Sequence, residues 1–166
     1  MPYSGLPGRF DKYQGKVHTH YKSLLPLVLP LFSLFGLYYQ VMAIEAIEWL
    51  GNKLRILDQS KLPREQSFID LADYRDVVSD IVEMKIRGAP TIGVAAAYGI
   101  ALGAQGIKIA DKEDFLSELN QVMQTFAAAR PTAVNLFYAI DRMKKAVAKD
   151  SNISQIKSAL IEEAKH

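Results

Sequence analysis

The first candidate site is an arginine followed by Gly88, Ala89, Pro90 and Thr91, at a break between two helical patterns. A glycine ends a helix readily and a proline fits the first turn of the next, so this turn frees backbone N–H groups beside the Arg87 cation. Such an arrangement suits a phosphate or another anion. The same residues also fit ordinary punctuation, with Gly88 as a C-cap, Pro90 opening a helix and Arg87 solvated.

The second candidate site lies in residues 129–135, which read ARPTAVN. Thr132 is a natural N-cap, Pro131 fixes the entry of the chain, and Arg130 stands where it could share an anion with the helix N-terminus. Ordinary capping beside a surface arginine explains these residues as well, with Asn135 serving only as a hydrogen bonder between helices. Because two such junctions occur in one domain, a shared anionic ligand explains these residues as well as ordinary helix capping does.

Other polar residues indicate less. Several acidic residues recur at helical spacing near Arg75 and Lys85, a pattern typical of a solvated face; they are Asp70, Asp73, Asp76, Asp80 and Glu83. His18 and His20 are too few for a metal site, so no metal is expected. The chain has no phosphate-binding glycine fingerprint and no nucleophile elbow.

The composition is that of a globular domain. The 166 residues carry 20 Lys+Arg and 18 Asp+Glu, 49% apolar residues and no cysteine. The absent cysteine excludes disulfides, thiolate ligands and cysteine catalysis from this sequence. Residues 1–41 carry the positive charge, whereas 42–166 are close to neutral and lack a clustered basic stripe, so no nucleic-acid partner is expected.

The elements that must hold the two arginines begin at Met42. Alternating apolar residues over 44–58, interrupted by Gly51-Asn52, predict a β-hairpin, and residues 68–71 predict one more short strand. Asp73 is the expected N-cap of a helix that ends near Arg87-Gly88. Its apolar stripe is Tyr74, Val77, Val78, Ile81 and Val82.

Four further helices complete a mainly α fold, an N-terminal β-hairpin followed by a helical bundle. The helix from Pro90 through Gly103 is rich in glycine and alanine, which predicts a central, buried position. The others cover 114–129, 132–148 and the chain from Ile153 onward. The residues predicted to point inward on the first two of these are Phe115, Leu119, Val122, Phe126, Leu136, Phe137, Ile140, Met143 and Val147.

Both ends of the chain differ from this domain. Residues 1–41 include the uncharged apolar stretch 24–39, which is interpreted as part of an upstream extension without function, with a membrane tether or a cleaved signal as alternatives. Pro26 and Pro30 interrupt the helix that a membrane span would need. The last helix has no stop signal, so we expect the domain 42–166 to be truncated.

From Met42 onward the sequence resembles the methylthioribose-1-phosphate isomerases. Their superfamily includes ribose-1,5-bisphosphate isomerases and the regulatory subunits of the translation initiation nucleotide-exchange factor. The matching stretches are IEW at 47–49, LRILDQ at 54–59 with LP at 62–63, MKIRGAPTIGVAAAYG at 84–99 and ARPTAVNL at 129–136.

The resemblance implies the N-terminal domain of a two-domain α/β isomerase that converts 5-methylthioribose 1-phosphate into 5-methylthioribulose 1-phosphate without metal or cofactor. It assigns Arg87, Gly88, Ala89 and Arg130 to the substrate site. The catalytic cysteine and aspartate of such enzymes belong to a downstream domain, so no catalytic residue is expected among these 166 and the chain alone should be inactive.

The resemblance further implies a cytoplasmic protein, homodimeric in the family, for which membrane attachment is not expected. Another phosphorylated ribose stays open as the substrate. The alternative function is a non-catalytic helical interaction module, related to the translation-factor regulatory subunits.

Overall fold

The computed structural model describes residues 46–148 and 152–166. The predicted leader, with its apolar stretch 24–39 and both of its histidines, lies outside the described residues, as does Ile44 at the start of the predicted hairpin. Within the described part of the chain, no helix is long and apolar enough to cross a membrane.

Three short strands come first and five helices follow, which confirms a mainly α fold with an N-terminal hairpin. The strands are β1 (Ile47–Trp49), β2 (Leu54–Leu57) and β3 (Phe68–Leu71). The helices are α1 (Tyr74–Val82), α2 (Ala89–Gly106), α3 (Lys112–Ala129), α4 (Val134–Val147) and α5 (Ile153–Ala164).

The sheet is antiparallel with the order β1-β2-β3. A tight turn joins β1 to β2: the Leu50 N–H donates to the Lys53 carbonyl at 2.9 Å, and Gly51 takes a φ of +85°, which a glycine adopts without strain. The central strand β2 buries Leu54 and Ile56 completely. Its two apolar side chains therefore join the sheet to the helical core.

Helix α2 is the centre of the domain, as its small side chains predict. It packs against the four other helices and against β1 and β2. Two of its glycines lie directly beneath large side chains. A Cβ built on Gly99 would be 2.3 Å from Phe126 Cζ, and one built on Gly103 would be 2.7 Å from Val122 Cγ1. Helix α3 therefore lies against the backbone of α2 itself.

Helix α1 ends earlier than the sequence predicts. Asp73 is its N-cap, as expected, with the side chain accepting from the Arg75 N–H, but the helix stops at Val82 and not near Arg87-Gly88. The physical reason is Met84, whose φ of +62° is left-handed and cannot continue a right-handed helix.

The boundaries of the later helices differ more modestly from the prediction. Helix α3 begins at Lys112 and not at Asp114, because Asp111 caps it by accepting from two backbone N–H groups. Val82 and Phe137, both predicted to point inward, are 56% and 41% exposed. Val82 stands at the end of α1, and Phe137 follows the buried Leu136 about 100° further round α4.

Alanine at position 99 should damage the core. Because Phe126 is fully buried and its ring would overlap the new methyl group, Gly99→Ala should lower the free energy of unfolding by about 2 kcal/mol, as overpacking does elsewhere. Urea denaturation of the full chain measures this loss.

Gly106→Ala is the matched control, since it lies in the same helix and a Cβ there meets nothing within 4 Å. Its unfolding free energy should be unchanged or slightly higher, because alanine favours helix over glycine. Equal stability of the two variants would contradict the close packing of α2 against α3.

Candidate anion site at two helix starts

The segment from Arg87 to Ala89 is exposed and leads directly into α2. Gly88 is the N-cap of this helix, with a φ of +90°, and its carbonyl accepts from the Ile92 N–H at 3.0 Å. Gly88 is therefore not the C-cap of the preceding helix, which has already ended. Pro90 stands in the first turn, as predicted, and the backbone N–H groups of that turn lack partners within the helix.

Arg87 is tied to the loop that follows β2. Its backbone N–H donates to Gln59 Oε1 at 3.1 Å, and one guanidinium nitrogen donates to the Gln59 backbone carbonyl. A guanidinium carries five N–H donors in a rigid fork, so this contact orients the group and leaves other donors for a ligand. Sequence reasoning missed Gln59 as a site residue, because nothing local to it signals a contact 28 positions away.

An ion pair between the buried Asp80 and the half-buried Lys85 lies behind the same turn. Asp80 is only 4% exposed, and its Oδ1 accepts from Lys85 Nζ at 2.8 Å. Lys85 Nζ also lies 2.9 Å from Glu83 Oε2. Hydrogen bonds to Asp80 and then to Glu83 raise the pKa of Lys85, so the lysine is firmly charged. The prediction of a solvated acidic face is thus wrong for Asp80, because the turn at Met84 folds Lys85 back over it.

Arg130 is the half-buried C-cap of α3. Its carbonyl accepts from the Ala133 N–H at 3.0 Å, which closes a turn before α4. Ala133 is the N-cap of α4 and Thr132 is not, so the predicted capping role of Thr132 is wrong: the turn leaves Thr132 exposed and outside the helix. Among the described residues, none accepts a hydrogen bond from the Arg130 guanidinium.

The two junctions lie at the same end of the helical domain. A Cβ built on Gly93, in the first turns of α2, would be 3.1 Å from the carbonyl oxygen of Asn135 in the first turn of α4. Two helix N-termini, each with the positive end of its dipole, therefore lie side by side. The structure places Arg87 and the N-cap Gly88 before α2, Ala89 as its first residue, and Arg130 before α4.

A groove of about 340 Å³ runs between α2 and α4, from their first turns as far as Ala97 and Met143. Residues of α2 and α4 line this groove, and the C-terminal end of α5 with the residues after it closes one side. The lining residues include Pro90, Asn135, Tyr138, Arg142, Glu163 and His166. Arg142 Nε donates to Glu163 Oε1 at 2.6 Å, which ties α4 to α5 at one edge. Neither Arg87 nor Arg130 is among its lining residues, so the groove and the two arginines are neighbours and not one cavity.

No group of three or more His, Asp or Glu side chains that could hold a metal ion occurs in the parts of the chain that the structure covers. The chemistry that the two helix starts offer is hydrogen-bond donation. It consists of a cationic side chain before each of two helix starts, together with backbone N–H groups that point along the helix axes.

Residues 85–166 match the initiation factor 2 subunit family. The methylthioribose-1-phosphate isomerase of Dehalococcoides mccartyi is 50% identical over 121 residues, which are 73% of this chain and 36% of that protein. The crystal structure of 5-methylthioribose 1-phosphate isomerase from Pyrococcus horikoshii OT3 is similar with a TM-score of 0.69 and 34% identity, over 72% of this chain and 34% of that one.

The crystal structure of the translation initiation factor eIF-2B, subunit delta, from A. fulgidus is equally similar. Its TM-score is 0.69 at 33% identity, over 74% of this chain and 36% of that one. The chain thus spans little more than a third of the length of the relatives that it matches. The resemblance inferred from the sequence is confirmed: residues 85–166 match the initiation factor 2 subunit family, and the relatives named here include methylthioribose-1-phosphate isomerases.

Proposed function

We propose that this chain is the N-terminal helical part of a methylthioribose-1-phosphate isomerase and supplies half of its substrate site. The observation that carries the proposal is the 50% identity over 121 residues to the Dehalococcoides mccartyi enzyme of that name. The substrate is 5-methylthioribose 1-phosphate, and the reaction is its conversion from aldose to ketose. A cytoplasmic location and a homodimeric assembly are parts of the same proposal.

The substrate-binding residues are Arg87, Gly88, Ala89 and Arg130. Arg87 and Arg130 hold the phosphate through charge-assisted hydrogen bonds, and the backbone N–H groups at Gly88 and Ala89 add donors at the start of α2. The bonds from Arg87 to Gln59 support this role, since an oriented guanidinium loses less entropy when the anion arrives. The adjacency of the two helix starts supports a single shared anion.

The proton chemistry belongs elsewhere. The C1 phosphate prevents spontaneous ring opening, so the reaction needs a general acid for opening and then a hydrogen transfer between C2 and C1. The family resemblance assigns these steps to a cysteine and an aspartate beyond the helical domain, and residues 1–166 contain no cysteine. The chain therefore contributes binding and orientation, with no metal or cofactor.

A second candidate is a non-catalytic interaction module. The eIF-2B delta subunit of A. fulgidus has the same TM-score, 0.69, as the isomerase neighbour, so the backbone alone favours neither. Ligand binding discriminates the two, because an isomerase part holds a sugar phosphate and an interaction module does not depend on one.

Removal of the Arg130 guanidinium should weaken substrate binding. Hydrogen bonds to charged groups are worth about 1.5 to 3 kcal/mol, so Arg130→Ala should raise the Kd for 5-methylthioribose 1-phosphate about tenfold or more. Isothermal titration calorimetry with the full chain measures this change.

The matched control is Arg75→Ala. Arg75 is an exposed arginine whose guanidinium lies 3.1 Å from Asp73, beside Tyr74 and so at the Gly103 end of α2, opposite Arg87. Its loss should leave the Kd unchanged. A chain that binds no sugar phosphate, or that binds ribose 1,5-bisphosphate more tightly than the methylthio sugar, would contradict the proposed substrate.

The purified chain of 166 residues should show no isomerase turnover. A coupled or NMR assay for formation of the ketose phosphate tests this, with the full-length isomerase of a relative as positive control. Because the proposed acid and base are absent from the helical domain, ketose formation above the rate without protein would overturn the assignment of the chemistry.

A further inference from the structure

We propose that the Asp80–Lys85 ion pair is a positioning device that orders the Arg87 side chain for anion binding. The identity of the anion rests on the proposed function, whereas the ordering of Arg87 does not. Asp80 and Lys85 touch no ligand in this proposal and act only through the turn between α1 and α2.

Asp80 is a buried carboxylate. Asp58 and Asp80 are the buried charged residues within the described part of the chain, and Asp80 Oδ2 has no hydrogen-bond partner there. Burying a charge is costly, and a buried ion pair is often no more stabilising than apolar side chains of similar size. Stability alone therefore does not explain an aspartate at this position.

The turn after α1 brings Asp80 and Lys85 together. Lys85 is five residues from Asp80, a spacing that does not place two side chains together on a continuous helix. The left-handed Met84 reverses the chain, and the Ile86 N–H then donates to the Asp80 carbonyl at 3.0 Å. The side-chain bond from Lys85 to Asp80 closes the same turn a second time, at 2.8 Å.

Hydrogen bonds connect Lys85 to Arg87 through Gln59. The backbone carbonyl of Lys85 accepts from the Gln59 N–H at 2.9 Å. Gln59 in turn accepts from both the backbone N–H and the guanidinium of Arg87. The ion pair thus restrains the backbone of Lys85, whose carbonyl holds the Gln59 backbone. Gln59 in turn holds Arg87 through its side-chain oxygen and its backbone carbonyl.

The test replaces the pair with apolar side chains in the full chain, as the double variant Asp80→Leu/Lys85→Met. Three quantities are measured: the heteronuclear NOE of the Arg87 Nε–Hε group without ligand, the Kd for 5-methylthioribose 1-phosphate, and the thermal midpoint of unfolding. The Arg87 signal is assigned by its loss in Arg87→Lys. Glu83→Gln is the matched control, because Glu83 is the exposed partner of the same lysine.

We expect the Arg87 NOE to fall and the Kd to rise about fivefold in the double variant, while the unfolding midpoint stays the same or increases. The single variant Lys85→Arg keeps the ion pair, so its Kd should stay within twofold of the wild-type value. Glu83→Gln should change neither the NOE, nor the Kd, nor the unfolding midpoint. A purely structural role would instead lower the midpoint together with the affinity.

An unchanged Arg87 NOE in the double variant overturns the positioning role. If that variant does not fold, Asp80→Asn/Lys85→Met, which keeps the volume of the aspartate, supplies the same measurements and the same criterion. If the wild-type chain binds no sugar phosphate, the proposed function fails, and the NOE still decides whether the ion pair orders Arg87.

Discussion

The close packing of α2 is the constraint on which the other elements depend. A helix surrounded by four others must offer small side chains on several faces, and α2 does so with glycine and alanine along most of its length. Phe126 and Val122 press on its backbone where a Cβ would overlap them. Because neighbouring helices approach α2 this closely, its first turn has a defined position. The position of Arg87 and Gly88, just before that turn, is defined with it.

The same packing brings the two arginines to one end of the domain. Gly93 allows the backbone of α4 to approach α2 at Asn135, so the starts of the two helices are adjacent. Arg87 and Arg130 each lie within a few residues of one of these starts. A larger residue at Gly93 would separate the helix starts, so the proposed anion site depends on a glycine that is not among its proposed contact residues.

The sequence predicts the parts of this fold that follow from local pattern. Helical periodicity places Phe115, Leu119 and Phe126 inward, and the glycine and alanine content of α2 predicts its central place, both of which the structure confirms. The sequence-based predictions are wrong where a backbone turn or a contact between separate segments determines the structure. The end of α1 depends on a left-handed Met84, and the burial of Asp80 depends on that same turn, which charge spacing alone does not reveal.

The loop after the central strand makes a contact with Arg87 that strand patterns could not predict. Strand β2 ends at Leu57, and the chain runs directly into Asp58 and Gln59. The Asp58 N–H donates to the Ser67 carbonyl at 2.8 Å, while hydrogen bonds from Ser60 lower the pKa of the Asp58 carboxyl, so this loop is anchored by a stable carboxylate. These hydrogen bonds hold the loop in place, so Gln59 has a defined position beside Arg87. A sheet of three short strands thus does more than cover the helices, because the loop after its central strand contains Gln59, which accepts hydrogen bonds from Arg87.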